Sequence, residues 1–334
     1  MKITWITFGK LATRNGMLWS PLASARYRVI LPARELEAGG HHVKFITVDA
    51  DVGLDSVEND LSADAVIFSK TFHTINEKIA QIARSKGAKV IVDICDNHFE
   101  SAKYGDHYRN MTTLADAIVV NTSQMAEVVK HHTGKESAII GDPYEGPRGE
   151  PRWSYNGEDR LKALWLGHPV NLDTLELAFA ALVEIGQRWP TELHTVTAPV
   201  DGMELFFQNF NHEYGRYLTL RYTPWSLEAT WTALAQAQIV VIPSILSSAN
   251  KTVKSPNRVV ESLWAGRFVA ANPLPSYTEF SPWAWIDPDI RKGIEWAMSH
   301  QDEIPPRIAE AQRYIDAHFS PRVIANRWSA LLEA

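Results

Sequence analysis

Short β-rich runs alternate with amphipathic stretches along this chain, and the alternation stops and restarts once near the middle; no other feature restricts the fold as strongly. Such alternation generates parallel sheets covered by helices. In the first half the pattern predicts strands at 3–8, 42–48, 65–69, 89–94 and 117–121, with a sixth candidate at 137–141. Helices fall between them. One spans 75–85, where Ile75, Ile79, Ile82 and Ala83 recur at helical spacing, and another spans 123–132 with Ser123 read as its N-cap. At 141–159 three prolines and four glycines crowd together and interrupt the pattern. The alternation then resumes with strands at 161–166, 193–196, 218–222 and 238–243 and helices at 172–187, 203–210 and 226–237. The C-terminal end reads as helices broken by Pro305 and Pro306. No sequence repeat links the halves, so their likeness is architectural.

A chain of 334 residues suits two domains of ordinary size. The expected fold class is α/β, with two doubly wound domains facing a central cleft. The expected boundaries are a first domain at 1–145, a linker at 146–160, a second domain at 161–315, and a terminal helix at 316–334 free to pack back on the first domain. Open α/β sheets bind ligands beyond the carboxyl ends of their strands, so function is sought in the loops that follow them.

Composition narrows the partners. Hydrophobic residues at 45% and charged residues at 22% are globular values. The formal net charge of −6, without a dense Lys/Arg cluster, argues against a nucleic-acid partner and for a small one. Cys95 is the lone cysteine, which rules out an internal disulfide and a Cys-rich zinc site and makes the cytoplasm the default location. The N-terminus reads as a strand and not as a signal peptide. No window approaches the roughly 18 apolar residues of a membrane span, although a peripheral membrane contact stays open.

The sharpest local feature follows the strand at 238–243. Ser255 is read as an N-cap and Pro256 as the first helical position, with the helix running from Asn257 to Ala265 and stopping at Gly266. A helix N-terminus offers free N–H groups and partial positive charge, and Lys254 and Arg258 add full charges, a combination suited to a diphosphate. Glu261 shares a face with Asn257 and Arg258, where its carboxylate can accept hydrogen bonds from a ribose diol. A plain capped helix with a Glu–Arg surface pair has the same sequence signature.

The run K-x-P-N-R-x-x-E-x-x-x-A-G from Lys254 to Gly266, followed by a buried strand and Asn-Pro-Leu-Pro-Ser-Tyr, resembles the donor-nucleotide motif of GT-B glycosyltransferases, including bacterial polysaccharide-type and retaining enzymes. The resemblance implies two Rossmann-like domains, a nucleoside-diphosphate sugar as substrate and no cofactor or metal. It also implies that Glu261 binds the ribose and that the positive residues near the helix start hold the diphosphate. The best-known retaining pattern carries another glutamate eight residues earlier, where this chain has Val253.

Other candidates sit after other strands. The loop at 9–25 leads to Arg26 and Arg28, which can reach phosphate or an acidic acceptor or remain solvated, and it carries no G-x-G-x-x-G. The run from Val92 to Phe99 places Asp93, Asp96 and His98 at the end of a strand. It resembles an acceptor-side cluster in which a carboxylate or histidine orients or deprotonates a hydroxyl, while Asp93 and Asp96 capping a turn is the simpler reading. Lys70 and His73 follow another strand. Gly167 and His168 open the second half, with Gly167 allowing close approach of phosphate and Asn171 capping the next helix. Ser244, Ser247 and Ser248 can bind phosphate or form a turn, and Trp225, Trp264 and Trp283 are read as core.

The expected function is metal-independent transfer of a sugar from a nucleoside-diphosphate sugar to a hydroxyl on a glycan, lipid-linked or protein acceptor. Lys254 and Arg258 would stabilise the leaving group, and Asp96 or His98 would act as base if configuration inverts. Ser247, Ser255 and Asn257 join Gly167, His168 and Glu261 in the expected donor site; Arg26, Arg28, Lys70 and Asp93 are acceptor-side. Two alternatives stand beside this: a non-catalytic nucleotide-sugar-binding or scaffold protein, motivated by Val253, and an epimerase that cleaves a sugar nucleotide.

Overall fold

The computed structural model describes residues 1–334 other than 10, 15, 49–53, 55, 56 and 154. Lys10 and Asn15 of the loop at 9–25 and Ser154 of the expected linker therefore lie outside the described residues. The chain forms two compact units, one made of residues 1–145, 252–255 and 318–334, the other of 146–251 and 256–317.

The first unit is built on β1 (Lys2–Thr7), β4 (His42–Thr47), β5 (Ala65–Ser69), β6 (Lys89–Ile94), β7 (Ala117–Val120) and β8 (Ala138–Ile139). These pair in parallel in the order β4-β1-β5-β6-β7-β8. The chain leaves β1 to one side to form β4 and then crosses to the other side for β5, so the topological switch point lies between β1 and β5. Buried on both faces, β5 reads Ala-Val-Ile-Phe-Ser with every residue inside. The helix Pro321–Glu333 covers one face: Trp328 meets Trp5 edge-on at 5.2 Å, and Lys89 Nζ donates to the Leu331 carbonyl at 2.7 Å.

The second unit holds β9 (Leu161–Leu166), β10 (Thr191–Thr197), β11 (Leu218–Pro224), β12 (Ile239–Ile242), β13 (Phe268–Ala271) and β14 (Trp285–Ile286). They are also all parallel, in the order β11-β10-β9-β12-β13-β14. Here the switch point lies between β9 and β12. Residues 146–160 group with this unit: Gly149 N donates to the Trp264 carbonyl at 2.9 Å, and the buried Gln312 returns a bond to the Gly149 carbonyl at 2.8 Å.

Several local expectations need correction. The helix at Ser123–Thr133 is capped by Thr122, whose hydroxyl accepts from Met125 N at 3.1 Å, and not by Ser123; only Thr122 has the extended backbone that turns its side chain onto the first turn. Pro305 and Pro306 mark the break between the helices Ile290–Ser299 and Ile304–Phe319, but from inside the start of the second. They lie in the first turn of Ile304–Phe319, where N–H groups lack intrahelical acceptors in any case. The loop after β1 contains an antiparallel hairpin, β2 (Ala12–Arg14) and β3 (Met17–Trp19), too short to show an alternating pattern. Among the described residues no helix is long and apolar enough to cross a membrane.

Candidate functional site

In the first unit, the loops that follow β5 and β6 bring together a charged cluster. Lys70 directly follows β5 and is the only non-glycine among the described residues with positive φ, at 54°. Left-handed backbone is uncommon for a side chain of this type, and such outliers concentrate at functional sites. Its Nζ lies 3.0 Å from Asp96 Oδ2, while Lys254 Nζ donates to Asp96 Oδ1. Asp96 is thus clamped between two ammonium groups. Burial favours the neutral acid, but Lys70 and then Lys254 outweigh it and hold Asp96 well below the usual carboxylate range. Burial likewise opposes the Lys70 charge, yet attraction to Cys95 and Asp96 raises its pKa above the ordinary lysine value. Burial, reinforced by Asp96, keeps the Cys95 thiol protonated far above the normal thiol range, which leaves Asp96 as the anionic partner that counts and makes Cys95 a poor nucleophile.

His98 lies among aromatic rings at the rim of this cluster, 5.5 Å from Tyr104 and 5.4 Å from Tyr108. Burial lowers its pKa below 6.5, opposed by Asp96 but assisted by Lys70 and Lys254. At neutral pH the imidazole is therefore uncharged and able to accept a proton. The environment separates the two base candidates: the Asp96 carboxylate has little affinity for a proton, and the His98 ring retains it.

Asp93 and the two arginines sit deeper than the sequence suggested. Arg26 and Arg28 fall within a helical segment with 5% and 2% exposure, so neither is a solvated loop residue. Arg26 Nε donates to both carboxylate oxygens of Glu145 at 2.8 and 2.9 Å. Arg28 donates to Asp93, to Asp142 at 2.9 Å and to the Ile140 carbonyl at 2.6 Å. Asp93 also accepts from Ser69 Oγ at 2.8 Å, and that hydroxyl accepts from Trp5 Nε1 at 2.8 Å. This buried chain of hydrogen bonds fixes the ends of β5 and β6, and through them the backbone that presents Lys70 and Asp96.

In the second unit the helix Asn257–Trp264 follows β12 at the switch point. Ser255 does not cap it: Pro256, which has no side chain able to cap, occupies the N-cap position, and Ser255 groups with the first unit. Glu261 is 5% exposed, too buried for the surface-pair reading. Arg258 Nη2 donates to the Tyr277 hydroxyl at 3.5 Å, and its Nη1 is buried with no hydrogen-bond partner among the described residues. A buried guanidinium nitrogen in that state carries an unsatisfied donor, which costs free energy. Gly266 ends the motif with φ of 77°, and a Cβ there would lie 2.2 Å from the Glu150 carbonyl oxygen, which is why the A-G step needs glycine.

Around this helix, Gly167 directly follows β9, with the Trp165 ring 3.0 Å from where a Cβ would sit. His168 is exposed, and its Nδ1 accepts from Val170 N at 3.3 Å. Asn171 makes no cap bond and instead accepts from Lys251. Ser247 is exposed on the loop after β12, while the buried Ser244 donates its N–H to Asn272 Oδ1 at 2.8 Å. A cavity of about 330 Å³ opens beside Ser244 and Asn272. A second, of about 440 Å³, lies beyond β10 and β11 between Pro199, Asp201, Glu204 and Tyr222. Sequence reading singled out none of the residues around this second cavity; their only signal is position after a strand.

Val253, where the retaining pattern would have a glutamate, is 2% exposed and packs in the core of the first unit, with its carbonyl accepting from Thr122 Oγ1 at 3.0 Å. Its side chain is part of the packing and offers nothing to a ligand.

Two parallel six-stranded α/β units with these connections make the GT-B fold, the class to which this structure belongs. Over all of both chains it superposes on Anabaena HepE solved with UDP, at 11% identity and a TM-score of 0.72. It also matches the lipopolysaccharide outer core galactosyltransferase WaaB in its apo form, at 12% identity over 100% of this chain and 99% of that one, TM-score 0.65. An alpha-glucosyltransferase solved with UDP-glucose and DNA containing an abasic site gives 11% identity over all of both chains, TM-score 0.65. At these identities the likeness is one of fold. No protein-family profile matches the chain, and no curated protein matches it.

Proposed function

We propose that this protein is a glycosyltransferase that moves a sugar from a nucleoside-diphosphate sugar to a hydroxyl acceptor without a metal. The observation that carries the reading is the helix Asn257–Trp264 at the switch point of the second sheet, with Glu261 buried and Arg258 Nη1 lacking a protein partner among the described residues. Full-length likeness in fold to structures solved with UDP or UDP-glucose supports it. On this reading the second unit binds the donor: the helix N-terminus, Asn257 and Arg258 take the diphosphate, Glu261 takes the ribose, and Gly167, His168 and Ser247 border it. The first unit supplies the acceptor chemistry. Lys70 and Lys254 furnish positive charge, and His98 takes the acceptor proton where configuration inverts. Arg26, Arg28 and Asp93 act by holding the frame of that unit.

The direct test is a thermal melt against a panel of nucleoside diphosphates and their sugars, followed by turnover with and without EDTA. One nucleotide should raise the melting temperature, since a ligand bound only to the folded state stabilises it. Folded protein that responds to no nucleotide would refute the proposal. The burial of Val253 favours a second reading, a nucleotide-sugar-binding protein without turnover, for which donor would bind but be neither transferred nor hydrolysed.

Because the His98 pKa lies below 6.5, kcat/KM should be level near pH 7 and fall with decreasing pH as the ring protonates. His98→Gln should cost about 10²–10⁴-fold in rate and remove that acid limb. An unchanged profile in the variant would assign the base elsewhere.

A further inference from the structure

We infer that the acceptor is a carbohydrate, seated by one of its pyranose rings on an aromatic platform at the carboxyl edge of the first sheet. This rests on the glycosyl-transfer reading and supplies the acceptor class that reading leaves open. Three loops on three adjacent strands build the platform. Phe8 follows β1, Phe72 and His73 follow β5, and His98 follows β6, with Tyr104 joining from the N-terminus of the helix Gly105–Leu114. The Phe72 ring is central: its centroid lies 5.2 Å from Phe8, 5.6 Å from His98 and 5.0 Å from Tyr104. Beneath these, Tyr108 is 6% exposed and anchors the set to the core.

Two features separate this group from ordinary core packing. Phe8 is 37% exposed, and Phe72, His73, His98 and Tyr104 are each only partly buried, so these neighbouring rings are not fully covered by the described residues of the unit. The surface also lies at the β1/β5 switch point, where a doubly wound sheet receives its ligand. Position at the ligand edge and incomplete burial together point to an occupant.

The chemistry of the loops selects that occupant. Of the three loops, the two after β5 and β6 read Lys70-Thr71-Phe72-His73 and Cys95-Asp96-Asn97-His98, with no Val, Leu, Ile or Met, while the loop after β1 brings Leu22 beside Gly9. An alkyl chain needs continuous aliphatic lining to gain from burial. A pyranose has one face of C–H groups that packs on aromatic rings and an equatorial rim of hydroxyls that needs polar partners, and this site alternates rings with the imidazoles of His73 and His98 and the Lys70–Asp96 pair. His98 stands beside Phe72, 5.6 Å between ring centroids, so a sugar ring seated on Phe72 would lie next to the base.

Saturation-transfer NMR on the full chain tests this, with methyl glucopyranosides and galactopyranosides as sugar probes, decyl phosphate as lipid probe, and the nucleotide-induced melting shift recorded on the same samples. Saturation of C–H protons on one face of a hexoside is expected, with binding weakened roughly three- to tenfold in Phe8→Ala and in Tyr104→Leu. Phe8 is exposed enough that its replacement should leave the fold intact, and an unchanged nucleotide shift would verify that. No hexoside signal in folded protein, a signal unaffected by both substitutions, or decyl phosphate saturated in place of the sugars would overturn the inference. Hexoside binding through these rings without any nucleotide response would instead overturn glycosyl transfer and leave the sugar platform standing.

Discussion

Arg28→Met is expected to destabilise the protein by about 3–5 kcal/mol, the usual result of removing one member of a buried ion pair. The side chain is 2% exposed and is shared by Asp93 and Asp142, both nearly as buried. Burial disfavours the guanidinium charge, but the two carboxylates outweigh it and raise its pKa. Methionine keeps most of the volume and removes the guanidinium that both carboxylates share. Combining Arg28→Met with Asp93→Asn should recover part of the loss, because one buried negative charge is then gone. Denaturant unfolding of the four-member set gives the coupling. A loss below about 1 kcal/mol for Arg28→Met would mean that the pair is solvated and available to ligand, contrary to its burial.

Glu261→Ala and Arg258→Ala are each expected to weaken nucleotide binding by about 10- to 100-fold. Hydrogen bonds to charged groups contribute about 1.5–3 kcal/mol, and 1.4 kcal/mol is a factor of ten. The two should differ in character. Glu261 accepts from a neutral ribose, so its loss should weaken nucleosides and nucleoside diphosphates alike, whereas loss of Arg258 should spare nucleosides and act on the diphosphate. Titration calorimetry against both ligand types, with the ligand-free melting temperature as control for folding, reads the difference. Equal affinity in wild type and Glu261→Ala would remove the ribose assignment.

Much of the fold was legible because burial on both faces forces parallel strands into short apolar runs. The strand at 65–69 and the helix at 75–85 have in the structure the limits read from sequence. The motif from Lys254 to Gly266 was visible for a similar reason, since helix, turn glycine and charges are local. The hairpin after β1 was not, because three residues per strand are too few to show a period. Ser255 illustrates the limit of capping rules: a good N-cap residue directly before a proline suggested a cap, but the helix starts one residue beyond Pro256 and Ser255 packs with the other unit.

By itself the sequence determined the alternation of strand and helix, the two-part organisation and the helix that starts after Pro256 between Lys254 and Arg258, all of which rest on interactions between near neighbours in the chain. Tertiary structure alone decided which charges are spent and which are offered. Asp96 meets Lys254 across 158 positions and Arg28 meets Asp93 across 65, and these pairings take Arg28 out of reach and set Asp96 apart from His98 as a base. The rings of Phe8, Phe72 and His98 likewise meet only because β1, β5 and β6 lie side by side. Protonation and exposure depend on the field and solvent at a point in space, and sheet topology, not distance along the chain, decides which groups share that point.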